Sequence, residues 1–388
     1  MATDCKQLNP PVPWGEGKTK TITFVVTQDC QLRCKYCYVV GKNDTCSMDF
    51  QIAKKTIDYL LEHRELLDNE SVVLEFIGGE PLLEIDLVDK ICDYFKFVSF
   101  KLDHPWFGNY RFSLTTNGIL YDNKKVQQFI RKNKAHISIG ITIDGTKKKH
   151  DMQRVYPDGR GSYDDVVRNI PLWQKQFPDA GTKVTISRED IPYIKESVLH
   201  LWGLGIKEVN ANVVFEDVWQ KGDDALFEGQ LKQLADYMLE NKLYNNHFCS
   251  FFSELVGKPL DPIQDNQNWC GAGKMLAIDY AGTFYPCLRF TPSCLRRKKA
   301  IVLGNCHEGI NVNKLRPFLA LNRTVQSPEK CLKCEVAGGC AWCQGENYDA
   351  ADSDTIYQRS TSICLMHKAR VRANNYFWPR FHSQIDNK

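Results

Sequence analysis

Long apolar segments are missing from this sequence of 388 residues. A helix that crosses a bilayer needs about 20 consecutive apolar residues, and no run in the chain approaches that length. Residues 1–17 also lack the apolar centre of a secretory signal peptide. These absences argue against a membrane protein and predict a cytoplasmic protein with no membrane partner.

A strong charge imbalance is absent as well. The formal net charge is +3, from 50 Lys and Arg against 47 Asp and Glu. Proteins that bind nucleic acids concentrate basic residues, so this balance gives no support to a nucleic-acid partner. Apolar residues make up 43% of the chain, which predicts a large folded core in two or three domains.

Cysteine, in contrast, is abundant, with 16 residues. Thiols in a reducing compartment persist as thiols and do not pair as disulfides. Clustered cysteines in a chain without an export signal therefore favour metal ligation or catalysis.

Strand patterns alternate with helical patterns over the first two thirds of the chain. The predicted strands are residues 21–28, 72–77, 110–116, 137–143, 183–187 and 208–215. The predicted helices are residues 49–63, 83–97, 123–132, 162–176, 192–202 and 223–243. This alternation indicates an α/β fold with parallel strands, either an open doubly wound sheet or a partial (β/α)6 TIM-like barrel. In both folds the functional residues follow the carboxyl ends of the strands.

The pattern changes near residue 245, where cysteine, glycine and proline become frequent. We predict an N-terminal segment, a barrel domain, a linker, a small cysteine-rich domain and a tail whose aromatic side chains pack on the body. Their bounds are residues 1–20, 21–244, 245–265, 266–370 and 371–388, respectively. A hairpin with strands at 275–278 and 283–285 is predicted in the cysteine-rich domain.

Cys30, Cys34 and Cys37 form a C-x3-C-x2-C motif directly after the first predicted strand. Three thiolates can hold three irons of a [4Fe–4S] cluster. Either Cys46 completes the cage, or the fourth iron stays open to a substrate and can do chemistry. Tyr36 could stack on a flat ring beside an open iron. A zinc site is the alternative interpretation of the three cysteines.

This motif and the segments after the following strands resemble the radical S-adenosylmethionine (radical SAM) superfamily. Those segments are Gly78-Gly79-Glu80-Pro81, Thr115-Thr116-Asn117-Gly118, Thr142-Ile143-Asp144-Gly145 and Ser187-Arg188. The resemblance implies a catalytic cluster on Cys30, Cys34 and Cys37. It also implies that S-adenosyl-L-methionine is bound by Tyr36, Gly78, Gly79, Glu80, Pro81, Thr115, Asn117, Thr142, Asp144, Ser187 and Arg188. His150 and Arg154 lie either near this pocket or in a surface loop.

A second group of cysteines follows residue 265. It comprises Cys270 and Cys287 around the hairpin, then Cys331-x2-Cys334-x5-Cys340-x2-Cys343, and Cys364. A zinc ribbon would separate its two C-x2-C pairs by roughly 15–20 residues, more than are found here. The arrangement resembles the SPASM extension of peptide-modifying radical SAM enzymes. Those enzymes usually have three residues between the last two cysteines of this run, whereas two residues separate Cys340 from Cys343 here.

The SPASM resemblance implies two auxiliary [4Fe–4S] clusters. One would be held by Cys331, Cys334, Cys340 and Cys364, and the other by Cys270, Cys287 and Cys343. Cys294 and Cys306 are candidates for the missing fourth ligand of the second cluster, which otherwise has an open iron.

The resemblance implies an enzyme that modifies a ribosomally made peptide by forming a thioether or another crosslink. Residues 19–38, TKTITFVVTQDCQLRCKYCY, are similar to the maturases of Cys-x-x-x repeat peptides. In this chemistry a 5′-deoxyadenosyl radical abstracts a hydrogen from the substrate, after reduction by a donor such as flavodoxin or ferredoxin. Only 29 residues precede Cys30, so we expect a separate leader-binding protein or recognition by the barrel itself.

Three alternatives remain open. The first two are formylglycine formation, as in anaerobic sulfatase maturases, and peptide epimerisation. The third is a non-catalytic iron–sulfur electron carrier. Leu288 stands where sulfatase maturases carry an aspartate base, which argues against the first. Glu80 and Tyr36 beside the open-iron motif argue against the carrier.

Overall fold

The computed structural model describes residues 19–40, 45–64, 66–67, 69–260, 268 and 270–386. The strands are β1 Thr19–Thr27, β2 Ser71–Gly78, β3 Tyr110–Thr116, β4 Ile137–Ile141, β5 Thr182–Ile186, β6 Glu208–Val213, β7 Phe248–Cys249, β8 Leu276–Ile278, β9 Thr283–Tyr285, β10 Gly304–Asn305 and β11 Gly309–Ile310. The helices are α1 Phe50–Glu62, α2 Ile85–Lys101, α3 Lys124–Asn133, α4 Lys147–Gln153, α5 Tyr163–Val167, α6 Ile170–Gln176, α7 Ile194–Gly203, α8 Asp223–Glu240, α9 Val312–Leu319, α10 Arg323–Gln326, α11 Glu329–Leu332, α12 Gln344–Ala350 and α13 Cys364–Asp386.

The predicted parallel α/β architecture is confirmed. β1, β2, β3 and β4 pair in parallel in that order, and β5, β6 and β7 form a second parallel sheet. In β2 the side chains of Val72, Leu74 and Phe76 are buried, while the alternate positions, such as Glu75, are half-buried. The alternation gives β2 one apolar face for the helices and one more polar face.

A break separates β4 from β5, and the side chain of Thr182 bridges it. Thr182 Oγ1 donates a hydrogen bond to Ile141 O at 2.8 Å and accepts one from Ile143 N at 3.1 Å. Thr182 is fully buried. A single hydroxyl thus satisfies two buried backbone groups at the point where the ladder of backbone hydrogen bonds stops.

We expect Thr182→Val to lower the free energy of unfolding by about 2–4 kcal/mol, because each buried polar group left unpaired costs about 1–3 kcal/mol. Urea titration of both proteins measures the loss. Thr182→Ser keeps the hydroxyl and is the matched control, which should retain most of the stability. Equal stability of the valine variant and the parent chain would contradict the bridging role.

The predicted hairpin is present as β8 and β9, which pair in antiparallel fashion. The sequence did not indicate where it docks. β8 pairs in parallel with β1, with Ile22 opposite Leu276, so the hairpin extends the barrel sheet beyond its first strand. The predicted linker at 245–265 contains β7, and its residues 261–265 lie outside the described residues. The domain bounds stay a prediction.

Two helical features differ from the sequence pattern. The single helix expected at 162–176 is divided into α5 and α6, since Pro171 near the start of α6 cannot donate a backbone hydrogen bond to a preceding turn. Asn169 lies between them, and its Nδ2 donates to Gly118 O at 2.8 Å. An additional helix, α4, precedes them.

The C-terminal tail docks on the barrel as helix α13. Tyr376 donates a hydrogen bond to Asp236 Oδ1 at 2.7 Å, and Arg372 pairs with Asp224 and Glu228, all three on α8. This packing agrees with the docked aromatic tail expected from the sequence. None of the described helices is at once long and apolar enough to cross a membrane.

Candidate functional site

The loop that carries Cys30, Cys34 and Cys37 leaves the carboxyl end of β1 and lies against the end of α4. Arg33 N donates to Val155 O at 2.7 Å, and Lys35 N donates to Gln153 O at 2.9 Å. Cys30 is buried, whereas Cys34 and Cys37 are partly exposed. Backbone hydrogen bonds from a rigid element therefore position the three thiols.

The glycine pair after β2 is required by close backbone packing. A Cβ atom at Gly78 would lie 2.1 Å from Thr27 O, and one at Gly79 would lie 2.1 Å from Asp29 O. Gly79 N and Glu80 N donate to these same two oxygens, at 2.9 and 2.8 Å. Only glycine allows this approach, which holds Glu80 beside the start of the cysteine loop.

Glu80 joins two predicted cofactor segments. Its Oε1 accepts hydrogen bonds from Thr116 Oγ1 at 2.6 Å and Leu82 N at 3.0 Å, and its Oε2 accepts one from Asn117 N at 2.8 Å. Burial raises the pKa of Glu80, although the bonds from Asn117 and Thr116 act in the opposite direction. An ionised carboxylate can accept about four hydrogen bonds, so these three donors leave it able to accept another.

A buried polar network holds the aromatic side chain of the cysteine motif. Tyr36 donates to Asp144 Oδ2 at 2.6 Å and accepts from Arg154 Nη1 at 2.9 Å. Lys149 Nζ lies 3.4 Å from Asp144 Oδ2 and donates to Thr185 O at 2.7 Å. Burial by itself would raise the pKa of Asp144, but the charges of Lys149 and Arg154 outweigh it and lower that pKa. Asp144 is therefore a carboxylate at neutral pH.

His150 and Arg154 belong to this buried network and not to a surface loop. His150 Nδ1 accepts a hydrogen bond from Asp144 N at 3.2 Å, and its Nε2 lies 3.0 Å from Ser162 Oγ. Burial lowers the pKa of His150 to about 3, so the ring is neutral at pH 7. The sequence pattern missed Lys149, which follows two exposed lysines and carries no local signal of burial.

The remaining predicted cofactor residues divide into two sets. Thr115 and Thr142 line a cavity inside the barrel. Pro81 begins a short 3-10 turn, and Ser187 accepts a hydrogen bond from Gln153 Nε2 at 3.2 Å. Arg188 instead pairs with Asp223 at 3.0 Å, at the start of α8. Their roles in cofactor binding stay predictions.

The structure brings the outer auxiliary cysteines together. Three thiols act electrostatically on that of Cys340, namely those of Cys331, Cys334 and Cys364. Burial raises the pKa of Cys340 and these thiols raise it further, whereas Arg359 lowers it. Arg359 Nη2 also donates to Cys340 Sγ at 3.3 Å. These are the four residues expected to share one cluster.

The inner auxiliary cysteines form a separate group. Burial, with a contribution from Cys343, raises the pKa of Cys270 to about 12. Burial and then the thiols of Cys270 and Cys343 raise the pKa of Cys287. Across the described residues, no three His, Cys, Asp or Glu side chains are close enough to hold a single metal ion. An iron–sulfur cluster is larger than one ion, so this absence concerns single-ion sites alone.

The two candidate fourth ligands lie in different places. Cys306 Sγ is 2.6 Å from the position of a Cβ at Gly282, in the turn of the hairpin. Cys294 acts electrostatically on Cys287, and Cys37 acts on Cys294. The Cys294 thiol therefore lies within electrostatic range of both the first motif and the inner group.

Arg289 connects the first motif to the inner group, and the sequence did not single it out. Its guanidinium lies 4.9 Å from the centre of the Tyr38 ring. Its Nη2 donates to Glu216 Oε1 at 2.9 Å and Glu346 Oε2 at 2.8 Å. The same guanidinium interacts electrostatically with Cys343. The partners of Arg289 come from distant segments of the chain. The residues next to it in the sequence therefore give no sign of its role.

Comparison with known protein families identifies the domain that carries the first cysteine motif. Residues 24–197 match the model of the radical SAM superfamily. This region is a radical SAM domain. It runs from β1 to α7 and includes the cysteine loop, the Gly-Gly-Glu segment and the buried network around Asp144. The chain therefore carries the domain of a superfamily whose enzymes use a [4Fe–4S] cluster and S-adenosylmethionine.

Relatives and solved structures extend the similarity beyond this domain. Uncharacterized protein MJ0907 of Methanocaldococcus jannaschii is 28% identical over 69% of this chain and 84% of its own. The antilisterial bacteriocin subtilosin biosynthesis protein AlbA of Bacillus subtilis is 25% identical over 83% of this chain and 66% of its own. The structure of native anSMEcpe with bound AdoMet and Cp18Cys peptide has a TM-score of 0.69 at 19% identity, over 95% of this chain and 99% of that one.

The residues present fit the cofactors of a radical SAM domain. Three thiols share one loop, and Glu80 can accept a further hydrogen bond. Within the described part of the chain, Asp144 Oδ1 and Arg154 Nε are buried without a hydrogen-bond partner. Such atoms are costly unless a ligand or water satisfies them, so they mark a polar edge of the cofactor site.

Proposed function

We propose that this radical SAM enzyme modifies a peptide, by forming a thioether or another crosslink. The observation that carries the proposal is that two further cysteine groups follow the radical SAM domain in the sequence. Arg289 lies near Tyr38, next to the first motif, and also interacts with Cys343 of the inner group. A SPASM-type cluster domain is part of this proposal. The similarity to AlbA, a bacteriocin biosynthesis protein, and to anSMEcpe with a bound peptide supports a peptide substrate.

The chain's own residues would do the following. Cys30, Cys34 and Cys37 would hold the cluster, and Glu80 would accept a hydrogen bond from the amine of S-adenosylmethionine. With both groups bound, the site supplies one-electron hydrogen-abstraction chemistry. Asp144 and its buried partners keep Tyr36 in place through its hydroxyl, and burial excludes water from that side of the site.

A flavodoxin or ferredoxin would deliver the electrons, and the auxiliary clusters would accept the surplus electron or bind the substrate. The peptide would be recognised by the barrel itself or by a separate leader-binding protein. We propose that electron delivery and peptide recognition both take place in the cytoplasm.

The test is co-expression with a short cysteine-bearing peptide encoded beside this chain, followed by mass spectrometry. A crosslink removes a pair of hydrogens per bond, whereas epimerisation leaves the mass unchanged. Cys334→Ala should lower peptide modification more than the release of 5′-deoxyadenosine, because the outer cluster is proposed to act after the cofactor has been cleaved. Equal loss of both would contradict separate roles for the cysteine groups.

Formylglycine formation is the second candidate, favoured by the fold shared with anSMEcpe. It would introduce an aldehyde that reacts with hydrazide reagents, and a crosslinked peptide would not. Leu288, which follows Cys287 in a 3-10 turn, cannot act as a base at that position. If reduced holoenzyme releases no 5′-deoxyadenosine, only the electron-carrier interpretation remains.

A further inference from the structure

A cavity of about 420 Å³ lies inside the barrel, beside the break between β4 and β5. Its walls come from strands β3 to β6 and from Ser250, which follows β7. Among the residues that line it, Lys183 is the one with a formal charge, and Asn210, Asn212 and Ser250 add uncharged polar groups. Thr115 and Thr142, which also line it, are predicted cofactor contacts.

Lys183 is aimed into this cavity. On β5, Lys183 lies between the buried Thr182 and Val184, and it is itself accessible and lines the cavity. Surrounding protein lowers the pKa of the Lys183 ammonium by desolvation, and Glu75 acts in the opposite direction. A cation that has lost part of its hydration gains from an anionic partner.

We propose that Lys183, together with the side-chain amides of Asn210 and Asn212, binds a carboxylate of the peptide substrate. The inference rests on the proposed function and specifies its substrate as a peptide with an acidic group near the modified residue. Asn212 Nδ2 donates to Val213 O at 3.0 Å, and Asn210 Nδ2 donates to Glu208 Oε1 at 2.8 Å. An amide nitrogen carries two hydrogens, so each can donate another bond.

The position of Lys183 suits a substrate that reaches between the two kinds of cluster. Arg289 and Cys343 both act on its ammonium electrostatically, and they belong to the inner auxiliary region. Thr142, a predicted cofactor contact, lines the same cavity. A carboxylate held at Lys183 would fix a peptide with one part near each region.

Gly140 leaves the space that such a ligand needs. A Cβ atom at this position in β4 would meet no atom within 4 Å, and its backbone has no left-handed geometry. A larger side chain there would fill the cavity without a clash at its first carbon. Gly140→Leu is therefore a second variant that closes the subsite by volume and keeps its charge.

The experiment presents immobilised holoenzyme, reconstituted anaerobically, with an equimolar library of N-acetylated, C-amidated hexapeptides, and counts the retained peptides by mass spectrometry. We expect Asp and Glu peptides to be enriched roughly tenfold over their Asn and Gln counterparts, as for a hydrogen bond between charged groups. Lys183→Gln should abolish this preference, Lys183→Glu should reverse it toward basic peptides, and Lys183→Arg should keep it.

Lys175→Gln, which removes an exposed lysine on α6, is the matched control and should leave the preference unchanged. Gly140→Leu should reduce the retention of the whole library. A second library with free C-terminal carboxylates distinguishes a terminal from a side-chain carboxylate. Thermal unfolding of each variant verifies that it is folded.

The outcomes separate this inference from the proposed function. If the parent enzyme retains peptides without acidic preference, or if Lys183→Gln keeps that preference, the carboxylate subsite is wrong and peptide modification stands. If the parent enzyme retains no peptide and modifies none on co-expression, both proposals fail.

Discussion

Replacing Cys34 by alanine is expected to abolish the reductive cleavage of S-adenosylmethionine. The cluster would lose one of the three thiolates that a single loop supplies. The loss should exceed roughly a hundredfold, because even residues around metal ligands are worth 10–100-fold. Release of 5′-deoxyadenosine by anaerobically reduced protein, with iron content measured in parallel, gives the result.

Cys46→Ala is the informative control for that experiment. Cys46 follows the same loop, and its backbone oxygen accepts hydrogen bonds from Gln28 N and Thr27 Oγ1. If the fourth iron is open, this variant should keep its cleavage activity. Loss of activity in both variants would instead indicate a complete four-cysteine cage and would remove the basis for cofactor cleavage at this cluster.

Lys149→Met is expected to lower the free energy of unfolding by about 3–5 kcal/mol, the cost of removing one partner from a buried ion pair. Lys149 is fully buried, and its Nζ lies 3.4 Å from Asp144 Oδ2 and 4.0 Å from Asp190 Oδ2. Without the ammonium, the buried carboxyl groups of Asp144 and Asp190 would lose the cation that they share, while Arg154 would still act on Asp144. Chemical denaturation of the variant and the parent chain measures the difference.

Two further variants identify the cause of that loss. Lys148→Met changes the preceding lysine, which is exposed and lies over the Tyr193 ring, and should cost less than about 0.5 kcal/mol. Adding Asp144→Asn to Lys149→Met should restore part of the lost stability, since it removes a buried charge that has lost its ion-pair partner. An unchanged stability of Lys149→Met would show that the pair does not support the fold.

The strand–helix alternation could be predicted because it is written in local periodicity. Six parallel strands were expected and are present, and the hairpin from β8 to β9 was expected from an apolar run, a glycine turn and a second run. The prediction of a single helix at 162–176 was wrong. Pro171 and Asn169 divide it, and the amide of Asn169 finds its partner on another segment.

The candidate site was predictable only where its residues form contiguous motifs. C-x3-C-x2-C and Gly78-Gly79-Glu80-Pro81 are short enough to be recognised in the chain. The close approach that forces both glycines became visible only when β1 and β2 were seen to pair. Lys149, Lys183 and Arg289 have no local signature, because their roles depend on partners far away in the sequence.

By itself, the sequence determined the alternation of strands and helices, the cysteine spacings and the motif that resembles the radical SAM superfamily. The tertiary structure decided which cysteines share a neighbourhood, that Thr182 bridges two sheets, and that the second cysteine region adds β8 to the barrel beside β1. The reason is physical. Periodicity and motifs depend on neighbouring residues along the chain, whereas burial, ion pairing and strand order depend on which distant segments come together.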